Sequence, residues 1–335
     1  MVKRICIYAS IIISVILINS TLSAQENNVK KIHFRGGDVV QGYVIEMNAH
    51  IIRIMTESGK IVIHPAHDVI FLESIYDKNV TNKSKDPEQK DRVLGLWKKH
   101  SWEVRPELSH IEYEEPEVMQ EKGFMYGIGG SYTYHDNIMM KAEGRYSYGK
   151  VDYIDHVNSG TIDNINDYII ECRGLIGRDY SFSYVFIVTP YAGFGYRYLN
   201  DDGSSMISTT GRHGYERESS YFYSPIGIEA NFLLINDWTF GINVEFDIFW
   251  KGKQKSHLGE IAGHEDIEND QDDGYGVRGS IKLQKSRGNL DFIIEPFFRY
   301  WNIKESEATQ DSTGTWWVEP KNNSTEIGIM FIVRF

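Results

Sequence analysis

Side chains able to activate water or hold a metal gather at a few places in the chain. Asp152, Asp155 and His156 lie close together, Asp201 and Asp202 are adjacent, and His264, Glu265 and Asp266 are consecutive. A carboxylate beside an imidazole can orient it to take a proton from water. These sets are loose, however, and polar stretches produce such pairs by chance. Ser256-His257 stands among Lys251, Lys253 and Lys255. No Gly-x-Ser-x-Gly elbow, phosphate loop or Cys/His metal set is present. The run from Glu265 to Gly274 is dense in carboxylates. Dense carboxylates can hold Ca²⁺, but this run lacks the EF-hand spacing and reads as a solvated acidic tip. His33, His50, His64 and His67 have no Cys or carboxylate to complete a ligand set and read as surface histidines. The expectation is therefore no catalytic set, no metal and no cofactor.

The stronger signal is the period of the elements. In residues 238–251, Trp238, Phe240, Ile242, Val244, Phe246, Ile248 and Trp250 alternate with Thr239, Gly241, Asn243, Glu245 and Asp247. Strand side chains point to opposite faces in turn, so this is one two-faced strand. Ten such segments run at about 101–113, 123–135, 138–151, 167–180, 184–199, 220–234, 237–251, 274–285, 289–303 and 323–335. Soluble strands average about five or six residues, whereas a tilted membrane strand needs about 9–11. Aromatics stand at the ends of the apolar faces, as at Trp238 and Trp250. Connections alternate between short turns and longer stretches at 114–122, 152–166, 200–219, 252–273 and 304–322. A closed barrel with turns at one rim and loops at the other predicts this alternation; a sandwich does not. The expected fold class is all-β, with a ten-stranded antiparallel transmembrane barrel over 100–335.

The other face of these strands is charged. Its acids are Glu103, Glu107, Glu143, Glu171, Asp179, Glu229, Glu245, Asp247, Asp291, Glu295 and Glu326. Its bases are Arg105, Lys141, Arg145, Arg173, Arg197, Lys251, Arg278, Lys282, Arg299 and Arg334. On a lipid face an Arg or Lys costs about 2–4 kcal/mol at mid-membrane, so these groups are expected inside. The two signs nearly cancel. Balanced, buried charges imply paired ions, while an ion-selective channel favours one sign. Ten strands make a barrel narrow enough for side chains to fill. A plugged lumen is therefore expected.

Three segments precede the barrel. Residues 1–24 combine Lys3 and Arg4 with an apolar run from Ile5 to Ile18 and then small residues, which reads as a secretory signal peptide. Its removal would leave Cys172 as the one remaining cysteine, which excludes a disulfide-stapled module. Residues 25–76 alternate in short runs divided by Gly turns and read as a small β unit. Residues 77–99 are charged and read as a linker. The chain has 335 residues and a formal net charge of −12, which argues against nucleic acid as a partner. A mean hydropathy of −0.38 excludes a polytopic helical membrane protein.

Two resemblances add to this reading. The spacing of Phe34, Gly37, Gly42 and Val44 is similar to that of Sm-like and SH3-like small barrels. The alternating run Ile329 to Phe335, closing on an aromatic, resembles the final-strand signal of Gram-negative outer-membrane barrels. That resemblance implies an outer-membrane location, Phe335 as the signal read by the barrel-assembly machinery, and residues 25–76 in the periplasm. It implies contact with outer-membrane lipid and lipopolysaccharide. Separately, Lys251, Lys253 and Lys255 read as cations placed to meet lipopolysaccharide phosphates just above the bilayer. Residues 29–76 would contact a periplasmic protein or the cell wall. Ten strands are also the architecture of the omptin outer-membrane proteases, but their catalytic arrangement is not matched here. The expected function is structural or interactive, with five displayed loops. The alternatives are a small porin-like passive pore and an omptin-like surface protease.

Overall fold

The computed structural model describes residues 30–35, 37–47, 51–56, 60–74 and 98–335, apart from 137, 158–159, 184–185, 235–236 and 262. The expected signal peptide and nearly all of the expected linker lie outside the described residues. The described residues form two compact units, one on each side of that linker.

The first unit is a five-stranded antiparallel sheet: β1 (Lys30–Phe34), β2 (Val39–Met47), β3 (Ile51–Thr56), β4 (Ile61–Pro65) and β5 (Val69–Ser74). The strand order is β4-β3-β2-β1-β5. One 3₁₀ turn, Ala66–Asp68, joins β4 to β5. Ile32, Phe34, Ile52 and Ile54 form its buried centre, packed by Val40, Val44 and Val69. Gly42 is required by close approach, because a Cβ there would lie 2.4 Å from the Met55 carbonyl oxygen. Of the four histidines, His64 is half-buried and stacks on Phe34 at 4.1 Å. His67 is exposed, with Nε2 3.6 Å from Asp68. His50 lies outside the described residues.

The second unit is a closed barrel. Its strands are β6 (His100–Glu115), β7 (Met119–Asp136), β8 (Ile138–Asp155), β9 (Thr161–Arg178), β11 (Phe186–Asp202), β12 (Glu216–Leu233), β13 (Trp238–Ser256), β15 (Gly274–Arg287), β16 (Leu290–Ile303) and β19 (Asn322–Arg334). Each pairs antiparallel with the next, and β19 pairs with β6 to close the ring. Shorter pieces complete the edges: β10 (Tyr180–Ser183) pairs with β11, β14 (Ile267–Gln271) pairs with β13, and β17 (Thr309–Gln310) pairs with β18 (Trp316–Trp317). No α-helix occurs among the described residues.

The two faces differ in kind. Along β13, Val244 is 59% exposed, Glu245 1%, Phe246 47% and Asp247 0%. The outward residues form a belt from Trp102, Ile138, Ile176, Trp238, Phe292 and Phe335 at the turn end to Leu108, Phe124, Tyr148, Phe222, Trp250 and Ile327 at the loop end. A continuous apolar band of this size belongs against acyl chains, not water. Cys172, the one cysteine among the described residues, lies exposed on this outer face.

The strands run on past the belt toward the loop end, where outward residues such as Glu112, Lys122 and Lys150 are polar and exposed. The expected first loop, 114–122, therefore shrinks to a turn at residues 116–118. Water accepts polar residues on a strand as readily as on a loop, so the strand does not end where its greasy face ends. A second correction concerns Lys251. The β12–β13 register shifts so that Phe222 pairs with Lys251 and Tyr223 with Phe249. Phe249 stays inward with Glu245 and Asp247, and the bulge at Trp250 reverses the parity beyond it, leaving Lys251 outside. Lys251, Lys253 and Lys255 face β14 acids and their neighbour: Lys251 Nζ is 3.3 Å from Asp270, Lys253 pairs with Glu268, and Lys255 Nζ is 3.4 Å from Asp266.

Candidate functional site

The centre of the lumen is a lattice of ion pairs. Arg145 on β8 donates through Nε to Glu171 at 2.7 Å, through Nη1 to Glu107 at 3.0 Å, and through Nη1 and Nη2 to Glu326 at 3.0 and 3.1 Å. Arg299 from the far wall donates to Glu326 at 3.0 Å and Glu107 at 3.3 Å. Arg278 bridges Glu171 and Asp247, donating to each, with Glu245 3.2 Å from its Nε. Arg173 then joins Glu245 to Glu143, and Arg105 and Lys141 meet Glu143 at 3.2 and 2.9 Å. These contacts link strands on every side of the ring.

Toward the turn end, Arg334 donates to Glu103 at 2.8 Å and lies 4.0 Å from Asp291. Lys282 pairs with Glu229 at 3.1 Å, and Ser280 donates to Glu295. Asp179, off the main lattice, accepts from Thr189 and lies 3.0 Å from His135 Nδ1. Arg197 is held differently: its guanidinium carbon sits 5.5 Å from the Trp301 ring centre and its Nε has no hydrogen-bond partner.

Inward aromatics close the remaining space. Tyr221, Tyr223, Phe249 and Trp301 form a buried cluster with Ile303. The Tyr223 hydroxyl donates to Glu171 and the Tyr191 hydroxyl to Glu245 at 2.8 Å. Both rings lie over glycines: a Cβ at Gly195 would sit 2.2 Å from the Tyr223 ring, and one at Gly227 would sit 2.4 Å from Tyr191. Glycine here makes room for the plug's aromatic pieces. Arg145, Glu171, Arg278, Glu326 and Glu107 are 2–9% exposed, so even water reaches them little. A cavity of about 120 Å³ remains among these side chains, room for only a few waters.

Above the belt the chemistry changes. Arg217 on β12 meets Glu115 at 3.1 Å, Glu121 at 2.5 Å and Asp201 at 2.8 Å, with its guanidinium over the Tyr113 ring. Glu319 is also buried here, and its Oε1 and Asp201 Oδ1 have no hydrogen-bond partner. Burial pushes the Glu319 carboxyl up to about 8, with Glu115 adding to the rise. Burial likewise raises Glu115 and Glu121. These groups line a cup of about 570 Å³ together with Tyr153, Ile162, Leu258, Trp317 and Pro320.

Sequence reasoning missed this cup. The available signal was parity: Glu107, Ser109, Ile111, Tyr113 and Glu115 continue one face without a break. The Asp and His sets singled out in the sequence are separated. Asp152 and Asp155 accept backbone N–H groups of Asn164 and Val157, Asp202 accepts from Ser204, and His264 packs edge-on to Trp317. Asp266 instead meets His257, Nδ1 to Oδ2 at 3.3 Å, a contact made across the β13–β14 loop.

No protein-family model matches the sequence, and no curated protein does. Among solved structures, the outer membrane protease OmpT from Escherichia coli superposes with a TM-score of 0.54 at 12% identity, covering 70% of this chain and 96% of that one. The fold is that of an outer-membrane β-barrel. At this identity the likeness is one of fold alone. The translocator domain of the autotransporter NalP from Neisseria meningitidis matches more loosely, with a TM-score of 0.34 at 10% identity over 74% of this chain and 94% of that chain. So does the Ralstonia pickettii toluene transporter TbuX, with a TM-score of 0.32 at 8% identity over 72% and 90%.

Proposed function

We propose that this chain is an outer-membrane barrel that does not conduct and that works through its surfaces. The observation that carries the reading is the ion-pair lattice joining Glu107, Arg145, Glu171, Arg278, Glu326 and Arg299 across the lumen. Each charge in it has a partner of opposite sign, and removing the lattice would mean breaking many short contacts at once. Passage of a solute offers no compensation for that loss. The five connections at the loop end face the outside in this reading, with the acidic cup at their base. The 25–76 unit stands in the periplasm. Its strand order and the 3₁₀ turn before β5 support an Sm-like or SH3-like small barrel serving to contact a periplasmic protein or the cell wall. Phe335, which exchanges backbone hydrogen bonds with Trp102, serves the assembly machinery. Lipid meets the belt, and lipopolysaccharide lies beside the lysines of β13.

The test combines location and permeability. Fractionation should recover the full chain in the outer membrane, with heat-dependent gel mobility. Proteoliposomes carrying it should swell in small sugars no faster than protein-free liposomes. Recovery from soluble fractions removes the reading, and rapid swelling replaces it with the passive pore. Cleavage of added peptides by the pure chain would replace it with the surface hydrolase.

A further inference from the structure

The geometry points to a divalent metal site of the zinc class on the outer wall of the barrel, formed by Glu216, Glu218 and His257. All three lie beyond the belt, the glutamates at the start of β12 and the histidine just after β13. One ligand atom from each side chain falls within 4.8 Å of the other two. His257 Nε2 is 3.6 Å from Glu218 Oε1 and 4.0 Å from Glu216 Oε2. Tetrahedral bonds of about 2.0–2.1 Å put ligand atoms roughly 3.3 Å apart, so small side-chain shifts would close the set.

The surroundings orient these atoms. Asp266 Oδ2 lies 3.3 Å from His257 Nδ1, so this carboxylate stands on the Nδ1 side of the ring and Nε2 is the nitrogen turned toward the glutamates. A carboxylate behind the imidazole in this way is the usual outer partner of a metal-bound histidine. Asp266 is itself fixed by the Gly259 N–H at 3.1 Å and by Lys255 at 3.4 Å. Glu216 Oε1 accepts from Asn200 Nδ2 at 2.6 Å, which leaves Oε2 for a ligand. His257 Nε2 is buried and has no hydrogen-bond partner, although two carboxylates flank it. The observed spacing leaves a gap at the centre of three donors.

One imidazole and two carboxylates suit a borderline first-row cation, and zinc binds such mixed sets tightly. Three protein ligands leave a fourth position for water or for a donor from a surface partner. This assignment does not depend on whether the lumen conducts.

The full chain in detergent, with Zn²⁺ alone as probe, should take one equivalent from a chromophoric chelator. His257→Ala should lose that equivalent while keeping its heat-dependent mobility. Glu218→Gln should weaken uptake, and Asp266→Asn should weaken it about 10–100-fold. Co²⁺ in place of Zn²⁺ should give a visible absorption band that His257→Ala abolishes. Equal uptake by the wild type and His257→Ala, or no uptake by the wild type, overturns the site.

Discussion

The middle of the lumen and its mouth at the loop end are built on the same ten strands with the same alternation, yet their charges are arranged to opposite effect. At mid-barrel most guanidiniums of the lattice bridge two or more carboxylates, and most carboxylates are shared in return, as Glu326 is by Arg145 and Arg299, although Asp247 Oδ1 and Arg105 Nε are left without a hydrogen-bond partner. At the mouth Arg217 alone serves Glu115, Glu121 and Asp201, while Glu319 keeps an unpartnered oxygen. A closed set of pairs is a structural filling. An acid excess around open space is a surface still able to take a ligand. The lesson is that sign balance, more than the number of charges, separates a plug from a site.

The same substitution in the two regions should break this comparison if it is wrong. Arg145→Met leaves Glu107 and Glu326 to share Arg299 and Glu171 to rely on Arg278, an excess of buried negative charge that should cost about 3–5 kcal/mol. The measurement is the urea midpoint of the refolded barrel, followed by tryptophan fluorescence. A loss below about 1 kcal/mol would mean that water already fills the centre. Charging the belt comes next: Val244→Arg, on the 59% exposed outward position, should destabilise the barrel in lipid by about 2–4 kcal/mol. A cation at a water-exposed strand end costs little, and Lys150 already stands at one. Arg217→Met should cost only about 1–2 kcal/mol, because carboxyls already pushed up can take protons in place of the lost cation.

The smallest effect is a pH slope at the mouth. Glu319, raised to about 8 by burial, holds a proton in the folded state that the unfolded chain releases near its ordinary value of 4.5. Between those two values the folded state binds more protons, so this group's contribution to stability falls as pH rises and is least above pH 8. Glu319→Gln should flatten that slope and gain on the wild type at pH 9, read from thermal melts across pH 5–9. A parallel slope in both proteins would show that Glu319 ionises like a surface acid.

Much of the barrel was legible because strand period is a local property. Trp238 to Ile248 gives the inside and outside of β13 without any knowledge of its neighbours. Lys251 was misplaced because a bulge at Trp250 is set by pairing with β12, which no local pattern carries. The turn at 116–118 was read as a loop because Glu112 and Glu114 lack an apolar face, though water and not lipid is what they meet. Arg217 and Glu319 could not be joined from sequence, since they meet only when the barrel closes. His257 and Asp266 are nine residues apart, and only the β13–β14 hairpin sets imidazole against carboxylate.

Recording across a planar bilayer puts the claim of a closed lumen to its most direct test. The full wild-type chain, inserted singly, should show no stepwise conductance, while a variant carrying Arg145→Ala, Arg278→Ala and Arg299→Ala together should open discrete steps if it still folds. Stable, uniform steps from the wild type would contradict the account.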